Sequence, residues 1–204
     1  MASNEPQPPG GWLVLPAPRL APPAGRGPLF SPLSRLAKRY GRDRVPDVFR
    51  LLHHNASLFW GWLHFASQLM PFGSLSARQR ELAILRTAWL CRCRYEWGQH
   101  VEVAGQAGVG DAEILDVTRG ADAFAAPADR ALLLACDELV HDHGLSDAAW
   151  QALAAHFDPK RLIEIMLLIG HYRMLAGLLN SAGLALEAPM EARLQAFYER
   201  SREA

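Results

Sequence analysis

Three side chains capable of chemistry stand at helical spacing in the stretch ELAILRTAWLCRCRYEWGQH, residues 81–100. Cys93, Glu96 and His100 are three and four residues apart, so on one helix they share a face. A carboxyl and an imidazole can take up and hand on a proton, and a thiol can also attack an electrophile. Their neighbours Leu85, Trp89, Leu90 and Trp97 are apolar. Ionisable groups buried there cost several kcal/mol unless they pair, so a site explains the pattern better than chance does.

Each member of the set has two readings. His100, with Glu96 one turn before it, is either an acid–base group held by a carboxylate or part of a buried structural network. Glu96 is either a general acid or base with a pKa moved by a dry site, or the partner of an arginine such as Arg86, Arg92 or Arg173. Glu81 lies upstream and meets the same face if the helices bend. Cys93, between Arg92 and Arg94 and near a histidine, is either a reactive thiol of lowered pKa or a small core hydrophobe. On a continuous helix Cys91 and Cys93 point about 200° apart, which disfavours a disulfide between them. A sulfenic acid on Cys93 would then need Cys136 or an outside thiol. His171 and Tyr172, in LIGHYRMLAGLL, line either a pocket or a subunit interface.

Metal and cofactor sites are not expected. The eight histidines include the pairs His53–His54 and His141-x-His143. On a helix each pair diverges, and neither His-x-x-x-His nor Cys-x-x-Cys occurs. A phosphate-binding glycine loop and a Gly-x-Ser-x-Gly elbow are also missing.

The motifs, taken together, resemble a known family. Glu81, Cys93 and His100 fit the pattern of alkylhydroperoxidase D-type redox enzymes, in which an upstream Glu is followed by Cys-x-x-Cys-x-x-x-His. Glu96 stands where the second cysteine would be, so the active-site disulfide of that type cannot form. The carboxymuconolactone decarboxylase branch of the superfamily is more similar: Pro46–Phe49, RELAILR at Arg80–Arg86, YEWGQH at Tyr95–His100, GLSD at Gly144–Asp147 and LLNSAG at Leu178–Gly183 read like its members. The resemblance spans residues 44–188. It implies an all-α, alkylhydroperoxidase D-like helical bundle that assembles as a homotrimer or hexamer. The implied activity is cofactor-independent acid–base chemistry on a small organic acid or lactone. His100 would move the proton, Glu96 would tune or share that work, and Glu81 would orient the imidazole. Losing CO₂ leaves a carbanion or enolate, which a proton donor in a dry pocket must meet; Phe59, Trp62, Trp89 and Trp97 are the candidates for that dryness. The rival readings are a thiol-dependent peroxidase acting through Cys93 and a non-catalytic member of the fold.

Composition narrows the partners. The formal net charge is zero and half of the 204 residues are hydrophobic, so neither nucleic acid nor another polyanion is an expected partner. No run of 18 apolar residues occurs, so no membrane-spanning helix is expected. MASNEPQPPGGW has neither a basic start nor an apolar core, so it does not read as a secretory signal. Three cysteines argue against a disulfide scaffold and make the reducing cytoplasm the default compartment.

Three parts are expected: a proline-rich arm over residues 1–43, a helical domain over 44–188 and a C-terminal helix within 189–204. Prolines fix φ and lack an amide donor, so the arm should be extended. It is either a disordered leader or, given Trp12, Leu13, Val14 and Leu15, a strap along this domain or a neighbouring subunit. Helix starts are marked by Ser76 with Gln79, by Asp111, by Pro127, by Ser146 and by Asp158 before Pro159. No segment alternates with period two, and the short connections predict antiparallel neighbours.

Overall fold

The computed structural model describes residues 5–23 and 44–203. Among these residues the chain forms nine α-helices and no strand: α1 Asp47–Leu52, α2 Ala56–Leu69, α3 Ala77–Leu90, α4 Arg94–Gln106, α5 Asp111–Arg119, α6 Pro127–His141, α7 Asp147–Ala154, α8 Pro159–Ala182 and α9 Ala188–Glu203. The fold is the expected all-α helical bundle.

Helix starts follow the local chemistry. The Ser76 hydroxyl accepts from the Gln79 amide and the Gln79 side chain reaches back, completing a capping box. Asn55, Ser146 and Asp158 each accept an amide of the first turn. Pro127 and Pro159 stand where a missing N–H costs nothing. Asp111 is not a cap; Gly110 takes that position and Asp111 is the first helical residue, where a negative charge suits the helix dipole.

α3 is the central helix. Every residue from Glu81 to Trp89 is buried, because α3 packs against α4, α6 and α8 at once. α8 is long and apolar enough to cross a membrane by length and composition, although half of that stretch is buried within the fold. Glu164, His171 and Arg173 interrupt its apolar run, so a search for 18 unbroken apolar residues passes over it.

The most consequential departure from helical regularity separates α3 from α4. The Arg92 amide bonds the Trp89 carbonyl at 3.0 Å and the Cys93 amide bonds the Ala88 carbonyl at 2.9 Å. That pair of hydrogen bonds is a Schellman stop, and Arg92 holds its left-handed position at φ 56° without being glycine. A side chain in this conformation costs about 1–2 kcal/mol. The N-terminal strap holds it there: the Leu13 amide donates to the Arg92 carbonyl at 3.1 Å, and the Arg92 guanidinium donates to the carbonyls of Gly10 and Gly11.

Residues 5–23 therefore lie along their own domain, not free of it. Trp12 packs edge-on against Trp89 at 5.3 Å and beside Trp97 at 6.0 Å. Further along, the Arg19 amide donates to the Ala182 carbonyl at 2.8 Å. The Arg94 guanidinium binds both Glu5 and Glu191, fastening the strap to α4 and α9. Residues 24–43 of the proline-rich arm, among them Pro28 and Pro32, lie outside the described residues.

Candidate active site

Three helices bring the ionisable residues together. Glu81 comes from α3, Glu96 and His100 from α4, and His171 with Tyr172 from α8. Cys93 does not lie on α4 but caps its N-terminus, just after the stop. The three-and-four spacing holds only from that cap onward.

His100 is held by Glu81. Its Nδ1 lies 2.7 Å from Glu81 Oε2, and Glu81 is fully buried. The other carboxylate oxygen, Oε1, accepts from Arg80 Nε at 3.3 Å. A carboxylate in this position fixes the ring and favours the tautomer that leaves Nε2 as the working nitrogen. Tyr172 closes over the imidazole edge-on, with ring centroids 5.1 Å apart. Arg80 was not foreseen from the sequence, because residues i and i+1 do not face each other on a regular helix surface.

Glu96 does not pair with His100, although its spacing allowed contact. It is 3% exposed, and neither carboxylate oxygen has a hydrogen-bond partner among the described residues. Burial pushes its carboxyl well above the ordinary range, opposed only by the adjacent Cys93 thiol. The arginines once open to it are engaged elsewhere. Arg86 binds Asp137 at 2.6 Å, Arg92 binds the strap, and Arg173 binds the Leu139 carbonyl.

Cys93 is fully buried, and its thiol is pushed well above the ordinary value, first by burial and then by the Glu96 charge. The flanking arginines do not lower it, because Arg92 faces Gly10 and Gly11 and Arg94 faces Glu5 and Glu191. Of the two readings of Cys93, this burial favours the small core hydrophobe. Cys91 is half-buried and is pushed up to about 11, again mainly by burial. Cys136 donates to the Ala83 carbonyl in the main core, apart from the cluster that holds Cys93.

The aromatic surroundings divide into two. Trp89 and Trp97 join Trp12, and Trp97 donates to the Tyr198 hydroxyl at 2.8 Å. Trp62, backed by Phe59, is the tryptophan that reaches the site: it stacks on His171 at 5.8 Å, and His171 meets Tyr172 edge-on at 5.3 Å. Burial lowers His171 to about 4, and its Nδ1 has no partner among the described residues. No cluster of metal-ligating side chains occurs among the described residues.

The described residues form an all-α bundle in which a buried Glu–His pair bridges the central helix and the next. Residues 56–138 match the model of the Carboxymuconolactone decarboxylase family. No curated protein matches the chain. Solved structures of the same fold include a variant of the debrominase Bmp8 in complex with 2,3,4-tribromopyrrole, with TM-score 0.73 and 15% identity over 90% of this chain and 99% of that one. An uncharacterised peroxidase-related protein from Ralstonia eutropha with an alkylhydroperoxidase AhpD core has TM-score 0.73 and 21% identity over 86% of this chain and 95% of that one. A peroxidase-related protein from Silicibacter also has TM-score 0.73, at 15% identity over 89% and 97%. These likenesses concern the fold.

Proposed function

We propose that the chain is a carboxymuconolactone decarboxylase-like enzyme that applies cofactor-independent acid–base chemistry to a small organic acid or lactone. One observation carries this reading: the fully buried Glu81 carboxylate bound to His100 Nδ1 at 2.7 Å. In this reading Glu81 orients the imidazole, and His100 Nε2 takes or gives the proton at the reacting carbon. The Glu96 carboxyl, raised by burial, serves as a second proton donor in the same region, suited to an enolate that forms when CO₂ leaves. Tyr172 and the Trp62–His171 stack exclude water from it. The experiment is a decarboxylation assay on a panel of lactone acids with wild type and His100→Asn. Wild-type turnover that collapses in His100→Asn supports the reading; turnover that survives the substitution sinks it.

A thiol reading remains the second, favoured by the Cys93 thiol lying against Glu96 and by peroxidase-related proteins and a debrominase sharing the fold. In either reading the working unit is a homo-oligomer, a trimer or a hexamer, acting in the cytoplasm. Ile163, Leu167, Met174 and Leu178 leave an apolar stripe of α8 exposed, and Phe72 is 74% exposed; a second copy would cover such a surface.

A further inference from the structure

We propose that Arg80 is the electrostatic catalyst of the site: its terminal N–H groups hold the oxygen on which negative charge collects while His100 serves the adjacent carbon. This role rests on the acid–base reading, since that chemistry passes through an enolate and an enolate needs a fixed positive partner.

One carboxylate holds the guanidinium and the imidazole side by side. Arg80 Nε lies 3.3 Å from Glu81 Oε1, and His100 Nδ1 lies 2.7 Å from Glu81 Oε2. The Glu81 side chain is 0% exposed, whereas those of Arg80 and His100 each keep 11%. The carboxylate therefore stands behind, and the two nitrogen-bearing groups stand at the edge that solvent reaches. The unpartnered atoms closed off from solvent include both Glu96 oxygens and His171 Nδ1, but no nitrogen of Arg80 or His100.

Arg80 also differs from the arginines around it. Arg78 spends a terminal nitrogen on Glu113 and Asp129, Arg86 spends Nη1 on the carbonyls of Val117 and Thr118, and Arg94 spends both on Glu5 and Glu191. Among the described residues Arg80 engages only its Nε. A guanidinium present merely to neutralise Glu81 would turn its fork to the carboxylate in a two-point pairing. Here one side nitrogen touches it, and Nη1 and Nη2 are left over. Nearly buried donors without acceptors cost stability, and a planar oxygen anion is what the fork fits.

The step balances without an oxidant or reductant. The bond to the departing CO₂ breaks, and its electron pair moves onto the neighbouring carbon and out to the adjacent carbonyl oxygen, to which Arg80 donates. A proton from His100 Nε2 then meets the carbon, the carbonyl re-forms, and His100 regains a proton from water. The departing carboxylate points away from Arg80, because a guanidinium on it would hold the charge where it starts. The substrate class follows: an acid whose carboxylate sits one carbon from a lactone or ketone carbonyl, directly or through a conjugated double bond.

Tetronic acid is the probe, because at pH 7 it is itself a planar, singly charged lactone enolate. Its methyl ether has the same ring and no charge. In calorimetric titrations of the full-length protein, tetronate should bind wild type at least about 10-fold tighter than the ether. Arg80→Gln should cut tetronate affinity about 10–100-fold and leave the ether within about threefold. Arg80→Lys keeps the charge but not the fork and should fall between. Equal binding of the two probes by wild type, tetronate affinity unmoved in both variants, or displacement of tetronate by equimolar inorganic phosphate overturns the proposal. The wild-type comparison can overturn it without either variant, should both fail to fold. His100→Asn keeps the two claims apart: turnover that survives it sinks the acid–base reading, whereas the tetronate titrations decide Arg80 alone.

Discussion

Helix α4 carries two buried carboxylate sites on different faces, and they are built in opposite ways. Tyr95 and Gln99 face Glu187, whose carboxylate accepts the Tyr95 hydroxyl at 2.9 Å, the Gln99 amide, and the Asp47 backbone amide at 2.6 Å. Every partner is supplied, and the result ties α1, α4 and the start of α9 together. Glu96 and His100 lie one residue further along on the other face. There neither the Glu96 carboxyl oxygens nor His171 Nδ1 has a hydrogen-bond partner among the described residues, and the His100–Glu81 contact is single and short. Buried polar groups in folded proteins are normally satisfied. The satisfied face reads as architecture, and the unsatisfied one as a place kept ready for something else to bind or react.

The largest effect should come from breaking the working face. His100→Asn keeps polarity and rough size but removes the titrating nitrogen, so turnover on the substrate found by the lactone panel should fall about 10²–10⁴-fold. Stability should barely change, since Asn can still donate to Glu81. A thermal melt within a few degrees of wild type, with activity lost, is the expected pair of results.

Breaking the satisfied face should do the reverse. Glu187→Ala strips three donors of their shared acceptor, and removing one partner from such a buried network costs about 3–5 kcal/mol. At roughly 2–4 °C per kcal/mol for a chain of this size, the melting temperature should drop by about 6–20 °C. Residual folded protein should keep its activity. A loss of turnover without a drop in melting temperature would erase the distinction between the two faces.

What was legible in the sequence differs between these faces for a physical reason. Caps, prolines and helical offsets are local, so Ser76, Asp158, Cys93, Glu96 and His100 could be singled out from residue types and spacing, while Glu81 came with the family resemblance. Glu187 could not, because its partners Asp47 and Tyr95 are 140 and 92 residues away. Spacing also misled at one point. Offsets of three and four place Glu96 against His100 on an ideal helix, yet the imidazole turns to Glu81 across the α3–α4 contact. The left-handed turn at Arg92 was equally hidden, because left-handed backbone is read from glycine, and here a strap from the other end of the chain holds an arginine in it.

A finer test titrates the working face. The unfolded chain's His171 takes a proton near pH 6.5, whereas the folded one, lowered by burial, refuses it until about pH 4. The folded pKa lies below the unfolded one. Stability from this residue is therefore complete above about pH 6.5 and is lost as pH falls towards 4. The loss by pH 4.5 should be at most about 2.5 kcal/mol. His171→Phe keeps a ring against Trp62 and removes the titration. Urea unfolding at pH 7 and pH 4.5 should give a smaller difference for the variant than for wild type; equal differences would mean that His171 is not the group that titrates.

The smallest effect, and the most diagnostic, concerns Glu96. Its folded pKa lies above its unfolded value, the reverse of the usual carboxylate. Between those two values the folded state holds a proton that the unfolded chain has released, so stability is highest at low pH and falls as pH rises above about 4.5. Glu96→Gln has nearly the same shape and no proton to lose. At pH 7 it should be more stable than wild type by about 1 kcal/mol, a rise of roughly 2–4 °C in melting temperature, with the advantage vanishing near pH 4. The same variant should lose turnover, because an amide cannot donate and recover a proton. Gains in stability with losses in activity are the mark of a group held in an unfavourable place for its chemistry. If Glu96→Gln were instead less stable at pH 7, the carboxylate would have a partner in solution, and the contrast with Glu187 would fail at its central residue.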